Sequence, residues 1–353
     1  MRWPFLYLNL LCYTVNMTEI VKNLAPQILE EIKKSQRILL HCHPNPDPDS
    51  VGGVLAMMHV LEAMGKEVTV IRGDSEVSVS FGSLPGFEKI VPKNFFEVDL
   101  TQFDLFIIQD SGGLEQISRI APVVFPKNIK TIVIDHHATN NNFAQINLVD
   151  PTYPATCQIL YDLFMLWGIA ITSDIAKCLM LGIYSDTGSF RFSNTLSSTF
   201  SAAARLAEIA PDYISVISFM DNSSTPGRVA FQALALSSVT LYCHNHVAIS
   251  AVSYSVLQEK KITKADLFAD VANILKSVVG WEIGVKMVED QPDGVKISLR
   301  TRDANKYDVS KIAAALGGGG HKAAAGVYLK SSLDEAVKKV VEAIGSVYPE
   351  LAE

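Results

Sequence analysis

The chain has 353 residues, 48% of them hydrophobic, and 30 Lys+Arg against 37 Asp+Glu give a formal net charge of −7. At roughly 150 residues per domain this is a two-domain protein, long enough to bury two cores without disulfides or structural zinc. The apolar content excludes a disordered chain, and the acidic balance argues against coating long duplex nucleic acid, which takes many cationic phosphate contacts.

In chain order, residues 1–16 come first: one basic residue, an apolar stretch from Phe5 to Tyr13, and no small-x-small cleavage site. That stretch is too short to span a bilayer and is an incomplete signal peptide, so 1–16 is read as a leader or alternative start outside the fold. From Thr18 to Ser35 apolar residues recur at helical spacing. Arg37 to His41 is a short apolar strand ending in a Pro- and Asp-rich turn, Val51 to Met64 a helix stopped by Gly65, and Glu67 to Ile71 a second strand. Phe103 to Gln109 and Lys130 to Ile134 are further continuous apolar runs, each followed by an acidic residue. Strands apolar on both faces and alternating with helices predict a doubly wound, mostly parallel α/β sheet. Helices follow at Ala155 to Trp167, Ile175 to Tyr184 and Ser197 to Ile209, and Asp221 to Gly227 is the clearest linker signal. Strands near Val247 to Val252, Trp281 to Val288 and Val295 to Leu299 place a smaller α/β domain at the C-terminal end. The expected division is a catalytic domain over 17–210, a linker over 211–228 and a second domain over 229–353. Five scattered cysteines, Cys12, Cys42, Cys157, Cys178 and Cys243, without C-x-x-C spacing, fit reduced thiols in the cytoplasm.

Four acidic or histidine clusters stand beyond strand or helix ends: His41 to Asp49, Asp110, Asp135-His136-His137, and Asp186. Singly each has a plain explanation, since an Asp after a strand is commonly a helix cap or turn residue. Together they gather beyond the carboxyl ends of one sheet, where open α/β folds bind ligands. So many carboxylates in one place repel one another unless cations neutralise them. Mixed carboxylate and imidazole ligands without thiolates suit Mn²⁺ best, with Mg²⁺ or Fe²⁺ next. His41 and His43 share one side of an alternating strand, so spacing alone leaves both open. Cys42, between them, points to the other side.

These motifs resemble those of the DHH-family phosphoesterases with a DHHA1 C-terminal domain. His43, Pro46, Asp47 and Asp49 fit H-x-x-P-D-x-D; Asp110 is the lone Asp after a strand; Asp135-His136-His137 is the run that names the family; and Asp186 opens Asp186-Thr187-Gly188. Ser298-Leu299-Arg300 and Gly317-Gly318-Gly319-Gly320-His321 match the DHHA1 signature. The resemblance spans roughly Ser35 to Leu329. It implies two metal ions held by His43, Asp47, Asp49, Asp110, His136 and Asp186, with Asp110 as the bridge. It also implies that Asp135 orients His136, that His137 faces the substrate phosphate, and that Arg300, Gly318, Gly319, Gly320 and His321 grip a phosphate or terminal nucleotide. Gln116 stands where related hydrolases often carry an Arg, and Arg119 lies three residues further on. His59, His244 and His246 match no motif and are read as structural.

Two divalent ions about 3.5–4 Å apart lower the pKa of a bridging water and neutralise phosphate oxygens for in-line attack on phosphorus. Within the family the best match is the bacterial bifunctional oligoribonuclease/pAp phosphatase group, because the chain lacks room for the extra domains of RecJ-type exonucleases. The implied substrates are RNAs a few nucleotides long and 3′-phosphoadenosine 5′-phosphate (pAp). Linear pApA or cyclic dinucleotides are the alternative, and a non-catalytic nucleotide-binding module is the alternative of another class. No membrane and no long duplex is expected as a partner, and a homodimer is compatible with the sequence.

Overall fold

The computed structural model describes residues 17–267 and 270–351, so the expected leader lies outside the described residues. Two compact units meet in sequence between Ser223 and Ser224. Among the described residues no helix is long and apolar enough to cross a membrane.

In the first unit, α1 (Glu19–Lys34) starts at Thr18, whose side chain accepts from the Val21 N–H. It leads into β1 (Arg37–His41), α2 (Pro48–Ala63), β2 (Glu67–Ile71), β3 (Ile90–Val91), β4 (Leu105–Gln109), β5 (Lys130–Asp135) and β6 (Ile146–Val149). The six strands form one sheet in the order β3-β2-β1-β4-β5-β6, and every pairing is parallel. Three helices follow, α3 (Thr156–Leu166), α4 (Ser173–Asp186) and α5 (Ser197–Ile209). Ile38, Leu40, Ile107, Ile132 and Ile134 pack on the helices, while Leu39, Phe106, Ile108 and Val133 face Phe95, Ile117, Val123 and Ile129. That second face is covered by loops and 3-10 turns instead of α-helices, because Pro85, Pro92, Pro122 and Pro126 interrupt the connecting segments. The strand order reverses direction between β1 and β4, and the crevice beyond that switch point is where such sheets bind ligands.

Helix α2 is buried almost all round, as an apolar helix sandwiched between a sheet and another helix must be. Its approach to α4 depends on glycine. A Cβ on Gly52 would meet the Cys178 carbonyl oxygen at 2.4 Å, and one on Gly182 would meet Cys157 Sγ at 2.4 Å and Asp49 Oδ1 at 2.6 Å.

The stretch expected as linker over 211–228 holds a helix, α6 (Ile214–Asp221), with Val216 and Ile217 buried in the first unit's core. Pro211 weakened the periodic pattern without removing this short apolar stripe. The next helix, α7 (Pro226–Ser237), begins at once with a proline in its first turn and a Thr225 cap, leaving only a few residues between helices.

In the second unit come β7 (Val239–Tyr242), β8 (Val247–Val252), α8 (Tyr254–Glu259), α9 (Val271–Ser277), β9 (Ile283–Gln291), β10 (Gly294–Thr301), α10 (Val309–Ala315), β11 (Gly319–His321), β12 (Ala324–Lys330) and α11 (Leu333–Val347). They build a mixed sheet in the order β11-β12-β10-β9-β8-β7, with β8 and β9 parallel and the remaining pairs antiparallel. One face packs Val285, Met287, Ile297 and Leu299 against Ile312, Val340 and Ile344. On the other face Val252 and Val288 pack with Phe231 and Leu275.

Gly182→Ala is expected to destabilise the first unit by about 1–3 kcal/mol, the usual cost of forcing a methyl into a filled core. Urea denaturation measures it, and an unchanged midpoint would mean that α2 and α4 do not need this close approach.

Candidate metal centre

The turn after β1 carries His43 and Asp47. The His43 Nδ1 atom lies 3.1 Å from the Pro44 carbonyl oxygen, an acceptor that in the neutral ring keeps the proton on Nδ1 and leaves Nε2 as a lone pair. That lone pair faces Asp110 Oδ2 at 3.3 Å and Asp47 Oδ2 at 3.7 Å. Asp47 caps α2, its Oδ1 accepting from the N–H groups of Asp49 and Ser50, so the cap and the candidate ligand are opposite oxygens of one carboxylate. His41 is turned away from this group. It is fully buried against Phe106, and burial lowers its imidazole to about 3. Burial likewise raises the Cys42 thiol to about 12, within the helix-side core.

Asp110 follows β4 in the left-handed region, at φ 51°, and is 2% exposed. A non-glycine residue held there is strained, as functional sites often are. Its N–H donates to the Ile134 carbonyl, and Thr156 Oγ1 donates to Oδ1 at 3.2 Å. His136 Nε2 lies 3.5 Å from Asp110 Oδ1, 3.3 Å from Asp186 Oδ2 and 3.9 Å from Asp49 Oδ2. Burial opposes ionisation of Asp110, yet without metal the protonated rings of His136 and His43, which their carboxylate neighbours raise well above the ordinary imidazole range despite burial, hold it well below the ordinary carboxylate range.

Asp49 is fully buried and accepts from the N–H groups of Thr156 at 2.6 Å and Cys157 at 2.9 Å. These are the first N–H groups of α3, whose own N-cap residue, Ala155, has no side chain to offer. Burial, then Asp186 and Asp110, raises the Asp49 carboxyl well above its usual range.

Three donor groups result among the described residues, each with its atoms within 4.8 Å of one another: His43, Asp47 and Asp110; Asp49, His136 and Asp186; and Asp110, His136 and His137. All six expected ligands fall in these groups, and Asp110 belongs to two of them. Asp110 Oδ2 and His136 Nε2 are buried without a hydrogen-bond partner. Acceptor lone pairs facing one another at such distances repel, and a cation between them removes both the repulsion and the missing partners. The residues therefore fit metal ions.

One expected role changes. Asp135 touches the His137 ring, Oδ1 accepting from Nδ1 at 2.8 Å, and meets His136 only through its backbone N–H at 2.9 Å. The Asp135 side chain folds over the turn that it begins, which brings the ring two residues on, not the next one, within reach. Asn140 Nδ2 bonds the second oxygen at 2.7 Å and the Ser111 carbonyl at 3.0 Å. Sequence reasoning missed Thr156 and Asn140. The one signal for Thr156 was a helix start at Ala155 without a capping side chain; Asn140 had none beyond lying in a polar loop. Arg119 folds back, its Nε donating to the Glu115 carbonyl, and His59 bonds the Pro85 carbonyl.

In the second unit the expected glycine loop is in part a strand. Gly319, Gly320 and His321 pair with Gly326, Ala325 and Ala324. A Cβ on Gly318 would meet the Gly326 carbonyl at 2.3 Å, so close strand approach accounts for that glycine. Arg300 pairs with Ala324, which pairs with His321, so both expected contacts stand on one face with a small residue between them.

Residues 37–183 match the DHH family, N-terminal domain, and residues 245–346 match the DHHA1 domain. The bifunctional oligoribonuclease and PAP phosphatase NrnA of Thermus thermophilus is 30% identical over 314 residues, covering 87% of this chain and 89% of that protein. The chain belongs to the DHH family. A probable bifunctional oligoribonuclease and PAP phosphatase NrnA of Streptococcus mutans is 27% identical over 304 residues, 85% of this chain and 91% of that protein. The crystal structure of an exopolyphosphatase-related protein from Bacteroides fragilis shares the fold, with a TM-score of 0.86 at 23% identity over 96% of this chain and 100% of that one. The DHH run that names the family lies at the end of β5, beside the switch point of the sheet.

Without metal, burial raises the Asp186 carboxyl to about 6, from an ordinary value of 3.8. A raised carboxyl contributes stability that is present below its unfolded pKa and lost as pH rises through its folded one. The metal-free protein should therefore lose stability between about pH 4 and 6, and a divalent ion, competing with protons, should restore more of it at about pH 7.5 than at pH 5. Thermal melts in EDTA and in excess Mn²⁺ measure the difference; a gain independent of pH would exclude this competition.

Proposed function

We propose that this chain is a metal-dependent phosphoesterase that hydrolyses short oligoribonucleotides and pAp. The observation that carries the reading is Asp110, a strained, buried carboxylate shared by two donor groups at the sheet's switch point. His43, Asp47 and Asp110 would hold one divalent ion, and Asp49, His136, Asp186 and Asp110 a second. The hard oxygen and imidazole donors favour Mn²⁺, then Mg²⁺ or Fe²⁺. When bound, such ions supply charge neutralisation at phosphoryl oxygens and an acidified water.

The chain's own residues do the rest. Thr156 holds the Asp110 carboxylate through its hydroxyl, and Pro44 fixes the tautomer of His43. Asp135 keeps the proton on His137 Nδ1 and sets that ring's angle toward the substrate phosphate. Phosphoryl transfer needs positioning and positive charge more than covalent chemistry, so no protein nucleophile is assigned. In the second unit Arg300, Gly318, Gly319, Gly320 and His321 bind a phosphate or terminal nucleotide, supplying binding energy remote from the reacting bond. The names of the Thermus and Streptococcus relatives supply the substrate class, and the reduced cysteines fit a cytoplasmic protein.

The test is release of mononucleotides from labelled RNA of 2 to 5 residues, beside pAp, pApA, cyclic di-AMP and pyrophosphate, each with Mn²⁺ and with EDTA. Turnover of the short RNA and pAp that stops in EDTA is expected; no turnover with Mn²⁺, Mg²⁺ or Fe²⁺ overturns the reading, and preference for cyclic di-AMP would move it to the cyclic dinucleotides. Asp110→Asn should lower kcat by more than about 100-fold with the fold intact by circular dichroism. Asp135→Asn should cost about 10- to 100-fold, as groups that orient metal-site residues do. Equal activity in Asp110→Asn and the wild type would refute the shared role of that carboxylate.

A further inference from the structure

The cross-strand register of the second sheet brings together basic side chains that the sequence motifs do not. Lys286 on β9 stands opposite Ser298 on β10, and Ser298 opposite Gly326 on β12. Two residues away on the same face, Gly284 pairs with Arg300, and Val288 with Lys296. Period-2 alternation thus sets Lys286, Lys296 and Arg300 around the Ser298 hydroxyl, with Gly326 and Ala324 leaving the face low beside Ser298 and Arg300 and Tyr328 standing opposite Lys296. Val285, Met287, Ile297 and Leu299 point the other way, into the core.

The charges around this row are lopsided. Among the charged groups that act most on Lys286 are Lys296 and Arg300 from β10, Arg228 from α7, and the Asp270 carboxylate at the start of α9. Lys286 and Arg300 are half-buried, and the Lys286 ammonium donates to the Leu267 carbonyl at 3.1 Å. Arg300 forms no ion pair with a carboxylate among the described residues; its Nη1 donates to its neighbour's carbonyl, that of Leu299. Burial, then Lys296 and Arg300, lowers the Lys286 ammonium to about 8. Like charges held half out of water on one face are costly unless an anion joins them.

We propose that Lys286, Lys296 and Arg300 form one anion site on this face, which takes a phosphate group of a nucleotide, with Lys286 at its centre. The inference rests on the phosphoesterase reading for its ligand class and adds two lysines that no motif identifies. Arg300 supplies a planar pair of donors, the lysines point charges, and Ser298 a hydroxyl.

The test is calorimetric titration of the full chain with pAp in EDTA, where nothing is turned over. Lys286→Met is expected to weaken binding at least tenfold, about the lower end of the range for hydrogen bonds to charged groups, Lys286→Arg to stay within about threefold of wild type, and Lys296→Gln to weaken it about threefold. Wild-type affinity in Lys286→Met overturns the proposal, as does a wild-type chain that binds no pAp. If Lys286→Met fails to fold, the exposed Lys296→Gln decides, and unchanged affinity there overturns the proposal. Because the titration needs neither metal nor turnover, lysine-dependent binding by a chain that hydrolyses nothing sinks the enzyme reading and leaves this site standing.

Discussion

Lone pairs confront lone pairs at the centre of the first unit. With its ring neutral, His43 directs its one proton at Pro44, so its other nitrogen faces the Asp110 carboxylate with nothing to donate, and His136 Nε2 meets three carboxylates. Left to themselves these groups separate or take up protons, and the fold prevents the first. Asp110 is held at positive φ by its bond to β5, Asp47 by two helix N–H groups, and Asp49 by two more. The glycine contacts between α2 and α4 set the depth at which Asp49 and Asp186 meet. Folding energy from the surrounding core keeps the acidic cluster assembled, and positive charge completes it. The second unit has the opposite arrangement, with half-buried cations side by side on one sheet face.

Much of this was legible because a parallel sheet writes itself plainly. Strands buried on both faces appear as continuous apolar runs, and the ligand side is the end where each run stops. The runs ending at His41, Gln109 and Ile134 gave β1, β4 and β5 to within two residues, and hence the crevice. The choice between His41 and His43 was not legible from spacing, since both fall on one side of an alternating chain. It is decided by where β1 stops: His41 is still inside the sheet, against Phe106, whereas His43 has passed into the turn.

What the sequence hid follows from tertiary contacts. The partner of Asp135 depends on how tightly the turn after β5 closes, which no local pattern records. The glycine run reads as a loop by composition, yet β12 accepts three of its residues as an edge strand, because glycine permits the close approach that pairing there requires. Helix α6 is short enough for a proline and polar neighbours to mask its stripe, so it lies inside the expected linker over 211–228. The row of Lys286 and Arg300 is separated by a hairpin and exists only once β9 and β10 are in register.

Asp49 has two employers. It meets His136 across the candidate ion site, and it closes the open end of α3, where Ala155 provides nothing. The six ligands are therefore not equally free to drift. A descendant that abandoned hydrolysis would shed His43 or Asp186 with little injury to its architecture, whereas losing Asp49 would fray a core helix. In such a descendant this aspartate would outlast the chemistry, and its presence alone would be a poor sign of activity.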